Sequence, residues 1–379
     1  MSVWKLRVFN FGYFSLFSLF LSFLPVYLSS IELPKSQIGL ILGAGGIIGV
    51  FSQPFWGVVS DRRRTIKRVL LALLAISIAL GFLLFQSSHP VMLFVLVMLM
   101  YFCFMPTDPL VESLNFQSSQ RLQIPFGSIR MYGALGYATA SMLIGYVANH
   151  FGIASMAYLF IGYGIIAFAI GLLTDDVQAV QKPLQVSTLK QFFSDKANLI
   201  FFTLILLIAI PHRINDTYIG IYIENAGGNF QMIGYAWFIM TVVEFVFFAI
   251  VHRFLKPGNE LAVISVAGLF YALRFFLTGA SENPLMLVLL QLLQGCTFVL
   301  FYSAAIQYLY TIVPEEWKAT GQTILAVLFF GISGIVASIA GGFAFEKLGG
   351  SNLYHLMAIM ALAGVAFSCL MRKRRVSEQ

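Results

Sequence analysis

Residues 11–28 read FGYFSLFSLFLSFLPVYL, eighteen residues from Phe11 to Leu28 without one charged side chain. With its apolar flanks, a helix of this length crosses a hydrocarbon core of about 30 Å. The run does not alternate as a barrel strand does, and in lipid every backbone polar group must be satisfied within the segment. The stretch therefore predicts a membrane-spanning helix. Working outward, comparable runs recur along the chain, another beginning at Leu199–Ile210. Hydropathy predicts twelve spans, at 8–30, 37–60, 68–86, 91–117, 126–148, 152–173, 199–222, 231–252, 260–279, 285–310, 318–345 and 351–371.

Composition supports the same class. Of 379 residues, 59% are hydrophobic and 10% charged, where a soluble domain is about 45–50% apolar and about 25% charged. A soluble fold could not cover that much apolar surface, so the excess faces lipid. A secreted disulfide scaffold, a disordered chain and a nucleic-acid-binding domain are excluded. Cys103, Cys296 and Cys369 lie singly inside apolar stretches and read as packing residues, with no metal or cofactor implied. Lys5 and Arg7 precede the first run, but no small-residue cleavage site follows it, so a cleavable signal peptide is not expected. Gly43 to Gly49 (GAGGIIG) has no strand before it and sits within a span. It reads as close helix packing through Gly45 and Gly49, not as a dinucleotide loop. Gly334, Ser338 and Gly342 make a similar small-residue stripe in the eleventh span.

The net charge of +7 is best read by position. Eighteen of the 23 Lys and Arg fall on the side of the N-terminus, among them Arg62 to Arg64, Lys67, Arg68, Lys182, Lys190 and the tail from Arg372. Only Lys35 and Lys347 fall opposite, and Arg130, Arg213 and Arg274 lie within spans. This asymmetry places both termini in the cytoplasm of a plasma-membrane protein. The longest polar segment, 174–198, divides the chain into a six-span half at 1–173 and a second at 199–379 with its basic tail. Two bundles joined by a cytoplasmic linker, each a pair of three-helix repeats, is the architecture of major facilitators.

Buried charge points to function, because a charged group in a span costs about 2.5–3.5 kcal/mol even on lenient insertion scales. Four acids (Asp108, Glu112, Asp216, Glu244) accompany the three arginines. Spans four and five form a hairpin about Arg121, and Glu112 and Arg130 each lie nine residues from it, so they share a depth and can pair. Asp108 lies one turn from Glu112 on the same face. With three arginines for four acids, one acid lacks a cation; Asp108 and Glu244 are the candidates to carry a proton, with Glu112 beside Asp108 also part of the proton-coupling set. A purely structural role for the pairs is the alternative. Asn10, Tyr13 and Gln53 either line a cavity or bond between helices. His212, beside Pro211 and one turn from Asp216, is open between a cavity role and packing.

The segment from Gly57 to Arg64 (GVVSDRRR) resembles the signature loop of the major facilitator superfamily. By that resemblance Gly57 permits close helix contact, while Asp61, with Arg62 beside it, stabilises one state of an alternating-access cycle. Pro109, Glu112, Gly127, Arg130, Met131, Gly133 and Gly136 follow the spacing of the lactose-permease branch and its phenylpropionate-permease relatives, as do Phe51 to Gly57 (FSQPFWG) and the Phe-rich first span. The match is best from residue 8 to about 150. It implies that Glu112, Arg130 and Tyr137 contact substrate, Tyr137 by stacking on a sugar ring. It further implies substrate contacts from Asp216, Arg274 and Gln294. The span-ten His, Glu and Lys of lactose permease correspond here to Gln294, Thr297 and Gln291, so proton coupling must run through another carboxylate.

The sequence thus predicts an all-α membrane protein of twelve helices in two bundles, not an enzyme. Its expected work is proton-coupled uptake of a small polar solute such as a sugar, nucleoside or aromatic acid. Its partners are that solute, protons and the lipid bilayer, with no nucleic acid, and it acts as a monomer. A proton-driven exporter of amphipathic compounds is the alternative, and a non-transporting membrane sensor the alternative of another class. Seven buried charges spread over both halves argue against the sensor.

Overall fold

The computed structural model describes residues 3–177, 196–315 and 318–378; Lys182 and Lys190 of the linker lie outside them. Among the described residues the protein is helical, with no strand. Ten helical stretches are long and apolar enough to cross a bilayer. The last of these, Thr320–Lys373, is one run of 54 residues, interrupted at Gly349. That residue adopts φ 79° and ψ 164°, a backbone conformation that glycine takes without strain.

The chain forms two compact units, Met1–Gln181 with Gly228–Val242, and Lys182–Gly227 with Val243–Gln379. Unit 1 contains α1 (Val3–Ser30), α2 (Lys35–Arg63), α3 (Ile66–Leu84), α4 (Pro90–Cys103), α5 (Thr107–Leu122), α6 (Gly127–Phe151) and α7 (Ser155–Leu172). α1 runs through its core, buried along most of its length from Leu6 to Ser29. Serines at i, i+3 and i+7 give it one polar edge. Ser15 donates to the Gly136 carbonyl, Ser18 bonds Ser141 and Ser22 bonds Tyr137, so the edge locks α1 to α6. At Gly136 the backbones meet: an added Cβ would lie 2.2 Å from the Phe11 carbonyl oxygen. Gly45 likewise accommodates the Tyr101 ring of α4, as its small-residue stripe predicts. At Gly57 nothing among the described residues lies within 4 Å of an added Cβ.

The fourth predicted span is broken into α4 and α5. Pro106 lacks an N–H, and the chain turns through Phe104–Pro106 before resuming at Thr107. The break puts Asp108 in the first turn of α5. Outside the spans, Asp176 ties the end of α7 to the start of α3: its carboxylate accepts from the Thr65 hydroxyl at 2.5 Å and the Lys67 N–H at 3.0 Å.

The helices of the second half are α8 (Lys196–Asn225), α9 (Phe230–Ile250), α10 (Glu260–Ala280), α11 (Pro284–Leu289), α12 (Leu300–Ile312), α13 (Lys318–Ala326) and α14 (Ser333–Glu378). All lie in unit 2 except the start of α9, which belongs to unit 1. In unit 2, α8 and α10 pack on α14. Tyr218 donates to the Ser338 carbonyl at 2.6 Å, and Tyr354 donates to Asn215 at 3.2 Å. Two π-helical turns interrupt the ladder, Gly295–Val299 before α12 and Val327–Ile332 before α14. Such turns concentrate at functional sites.

Candidate functional site

In unit 1 the hairpin register brings Glu112 and Arg130 together. Arg130 Nε donates to Glu112 Oε1 at 2.5 Å, and the two side chains remain 36% and 31% exposed. The guanidinium lies 3.9 Å over the Phe14 ring, which holds it flat by cation–π attraction. Glu112 Oε2 is shielded from solvent yet bonds to no donor among the described residues. This combination, a cation–carboxylate pair with open edges over an aromatic floor, suits recognition of a polar ring or an acid. Asp108 is half-buried one turn away and forms no ion pair among the described residues.

Tyr137 lies two turns beyond Arg130 along α6. Its hydroxyl bonds Ser22 at 2.7 Å and its ring meets Trp237 edge-on at 6.3 Å. The indole Nε1 of Trp237 is buried without an acceptor among the described residues. Asn10 and Tyr13 have no exposed surface. Asn10 exchanges two amide hydrogen bonds with Asn115 at 2.7 and 2.6 Å, and Tyr13 bonds Thr107 at 2.8 Å. An amide in an apolar bundle must be satisfied internally, and here the satisfaction is between helices.

In unit 2, Arg213 NH1 donates to Asp216 Oδ2 at 2.8 Å. Arg274 has no exposed surface. It donates to Gln291, Gln294 and Thr297. Gln294 turns its NH2 the other way and donates to Glu244 at 2.7 Å. One amide therefore links the buried cation to an acid on another helix. Arg274 and Gln294 are enclosed by protein groups, whereas Asp216 and Arg213 keep 14% and 27% of their side-chain surface. Asp61 and Arg62 are exposed at the end of α2, and Arg64 closes that helix in the left-handed region by donating its N–H to the Asp61 carbonyl at 3.0 Å.

Sequence reasoning missed the serine edge of α1 and Trp237. The serines recur on one face and carried a signal; a single tryptophan among aromatics did not.

A family model described as "MFS_1 like family" matches residues 3–356. The chain belongs to that family. Its relatives include a maltose permease of Geobacillus stearothermophilus, 26% identical and covering 97% of this chain and 94% of its own. A probable 3-phenylpropionic acid transporter of Escherichia coli (strain K12) is 24% identical over 93% of each chain. A crystal structure of the nucleoside transporter NupG superposes with a TM-score of 0.83 at 20% identity, covering 97% of this chain and 99% of that one, and so shares the fold. The expected resemblance to major facilitator permeases is borne out, and the protein is a multi-pass membrane transporter of that type rather than an enzyme.

Proposed function

We propose that the protein is a secondary active transporter that takes up a small polar solute with protons by alternating access. Its helices make twelve spans. Gly127–Phe151 is a further 25-residue helix, and the break at Gly349 divides the last run in two. Six-helix halves at 1–173 and 199–379, joined by the linker 174–198, would sit as a monomer in the plasma membrane with both termini cytoplasmic.

The observation that carries this reading is the Glu112–Arg130 pair. It joins α5 to α6 and stays a third exposed, with Phe14 beneath it and Glu112 Oε2 without a protein donor among the described residues. Glu112, Arg130 and Tyr137 would contact the solute. A sugar, a nucleoside or an aromatic acid each fits a fork of charges beside aromatic rings, and the relatives carry maltose in one case and an aromatic acid in the other by name. Asp108, or Glu244 in the second half, would carry the coupled proton. Asp61 and Arg62 would serve the conformational cycle.

A thermal-stability screen of purified protein against sugars, nucleosides and aromatic acids tests the reading. One class should stabilise the wild type and leave Glu112→Gln unchanged. Equal stabilisation of both proteins would remove Glu112 from the site.

A further inference from the structure

His212 stands outside the reading above, and its surroundings are specific. It is 3% exposed in mid-helix, directly after Pro211. Its ring stacks on Phe298 at 5.0 Å and 8°, and meets Phe329 at 5.2 Å. Both rings come from the two π-helical turns. Nδ1 lies 3.0 Å from the Tyr271 hydroxyl, and Nε2 lies 3.4 Å from Asp216 Oδ2. That same oxygen accepts from Arg213 NH1 at 2.8 Å. One carboxylate oxygen is thus claimed by a permanent cation and by a group that becomes a cation on taking a proton.

Arg213 leaves a donor edge unused. Its Nε is shielded from solvent and bonds no acceptor among the described residues. The guanidinium lies 6.0 Å over Phe330, and Gly334, which carries no side chain, faces its Nε–NH2 edge: an added Cβ would sit in van der Waals contact, 3.6 Å from Nε and 3.7 Å from NH2. The Nε–NH2 edge of an arginine matches the two oxygens of a carboxylate.

The charged and titratable groups around His212 are Arg213 and Asp216 on α8 and Tyr271 and Arg274 on α10; Phe298 and Phe329 bring no charge. Arg213 and Asp216 compensate each other, and Arg274 is linked through Gln294 to Glu244. A solute carboxylate arriving on Arg213 adds one negative charge, and a proton on His212 supplies the compensating positive one.

We propose that Arg213 and His212 form a carboxylate site that binds its solute together with one proton. The solute takes the Nε–NH2 edge of Arg213, and the imidazolium of His212 takes over Asp216 Oδ2. The proton comes from water, and no covalent bond to the solute forms or breaks. Pro211 removes one backbone hydrogen bond from this turn, which eases the exchange of partners. Carboxylate and proton then tighten each other's binding by the same factor. The inference rests on the transporter reading for its purpose and adds a second proton site to it.

The test is calorimetric titration of the purified full-length protein in detergent with 3-phenylpropionate and with benzoate, in two buffers of different ionisation heat. The wild type should take up about one proton per carboxylate bound. His212→Gln should bind about tenfold more weakly and without proton uptake, and Arg213→Gln should lose binding. The wild-type stoichiometry needs no variant, so a poorly folding His212→Gln leaves the test intact. Binding without proton uptake, uptake unchanged in His212→Gln, binding that survives Arg213→Gln, or no binding of either carboxylate would each overturn the proposal. Proton-linked binding in a protein that carries nothing into liposomes would fault the transporter reading alone.

Discussion

Gly136→Ala puts a methyl group where the backbone of α1 already lies. The added carbon would be 2.2 Å from the Phe11 carbonyl oxygen, 2.8 Å from its carbon and 2.9 Å from Phe11 Cα. An ordinary carbon–oxygen contact is about 3.3–3.6 Å, so α1 must retreat by more than about 1 Å. Backbone atoms have no rotamer to escape into, which places the cost near the top of the range of about 1–3 kcal/mol for overpacking. The retreat also strains the Ser15 bond to the Gly136 carbonyl, now 3.1 Å. Alanine returns about 1 kcal/mol of helix propensity. The net loss is about 2 kcal/mol, roughly 30-fold in the unfolding equilibrium. Reversible unfolding of the purified protein in mixed micelles, followed by helical circular dichroism, measures it. Gly57→Ala is the control: with nothing within 4 Å, it should be neutral or gain up to about 1 kcal/mol. A Gly136→Ala protein as stable as wild type, or a Gly57→Ala protein equally damaged, would refute the packing argument.

Arg274→Met strips the side-chain oxygens of Gln291 and Gln294 of a donor. The same unfolding assay should show a loss of about 1–3 kcal/mol, the cost of buried acceptors left unsatisfied. Asn10→Ala and Asn115→Ala should each cost about 1 kcal/mol, and the double variant measurably less than their sum, because they break one reciprocal pair. Additive losses would show that the amides act separately. Arg130→Lys keeps the charge but loses the Nε bond to Glu112 and the flat contact with Phe14. Solute affinity, read by calorimetry, should fall by about tenfold or more.

Much of this arrangement was legible in sequence because lipid leaves few options. Apolar run lengths locate the helices, and nine-residue offsets from Arg121 pair Glu112 with Arg130 from the sequence alone. Three features were not legible. Pro106 ends α4, but proline also occurs inside uninterrupted helices such as α2 at Pro54, so residue type alone did not locate the break. Arg274 bonds to amides because the fold brings Gln291 and Gln294 of the next span to its depth, and spacing within one helix does not reveal that. The contest for Asp216 Oδ2 depends on side-chain rotamers three and four residues apart, which spacing permits without choosing between them.

The proposed transport couples to protons through a spare acid. Glu112 pairs with Arg130 and Asp216 with Arg213, and Glu244 reaches Arg274 through Gln294; Asp108 has no cation partner among the described residues. The decisive measurement is uptake of the stabilising solute into proteoliposomes under an inward pH gradient, beside solute exchange at equal pH, for wild type, Asp108→Asn and Glu244→Gln. The gradient should drive accumulation in the wild type, and Asp108→Asn should abolish accumulation while retaining exchange. Accumulation indifferent to the gradient and to both substitutions would contradict this coupling.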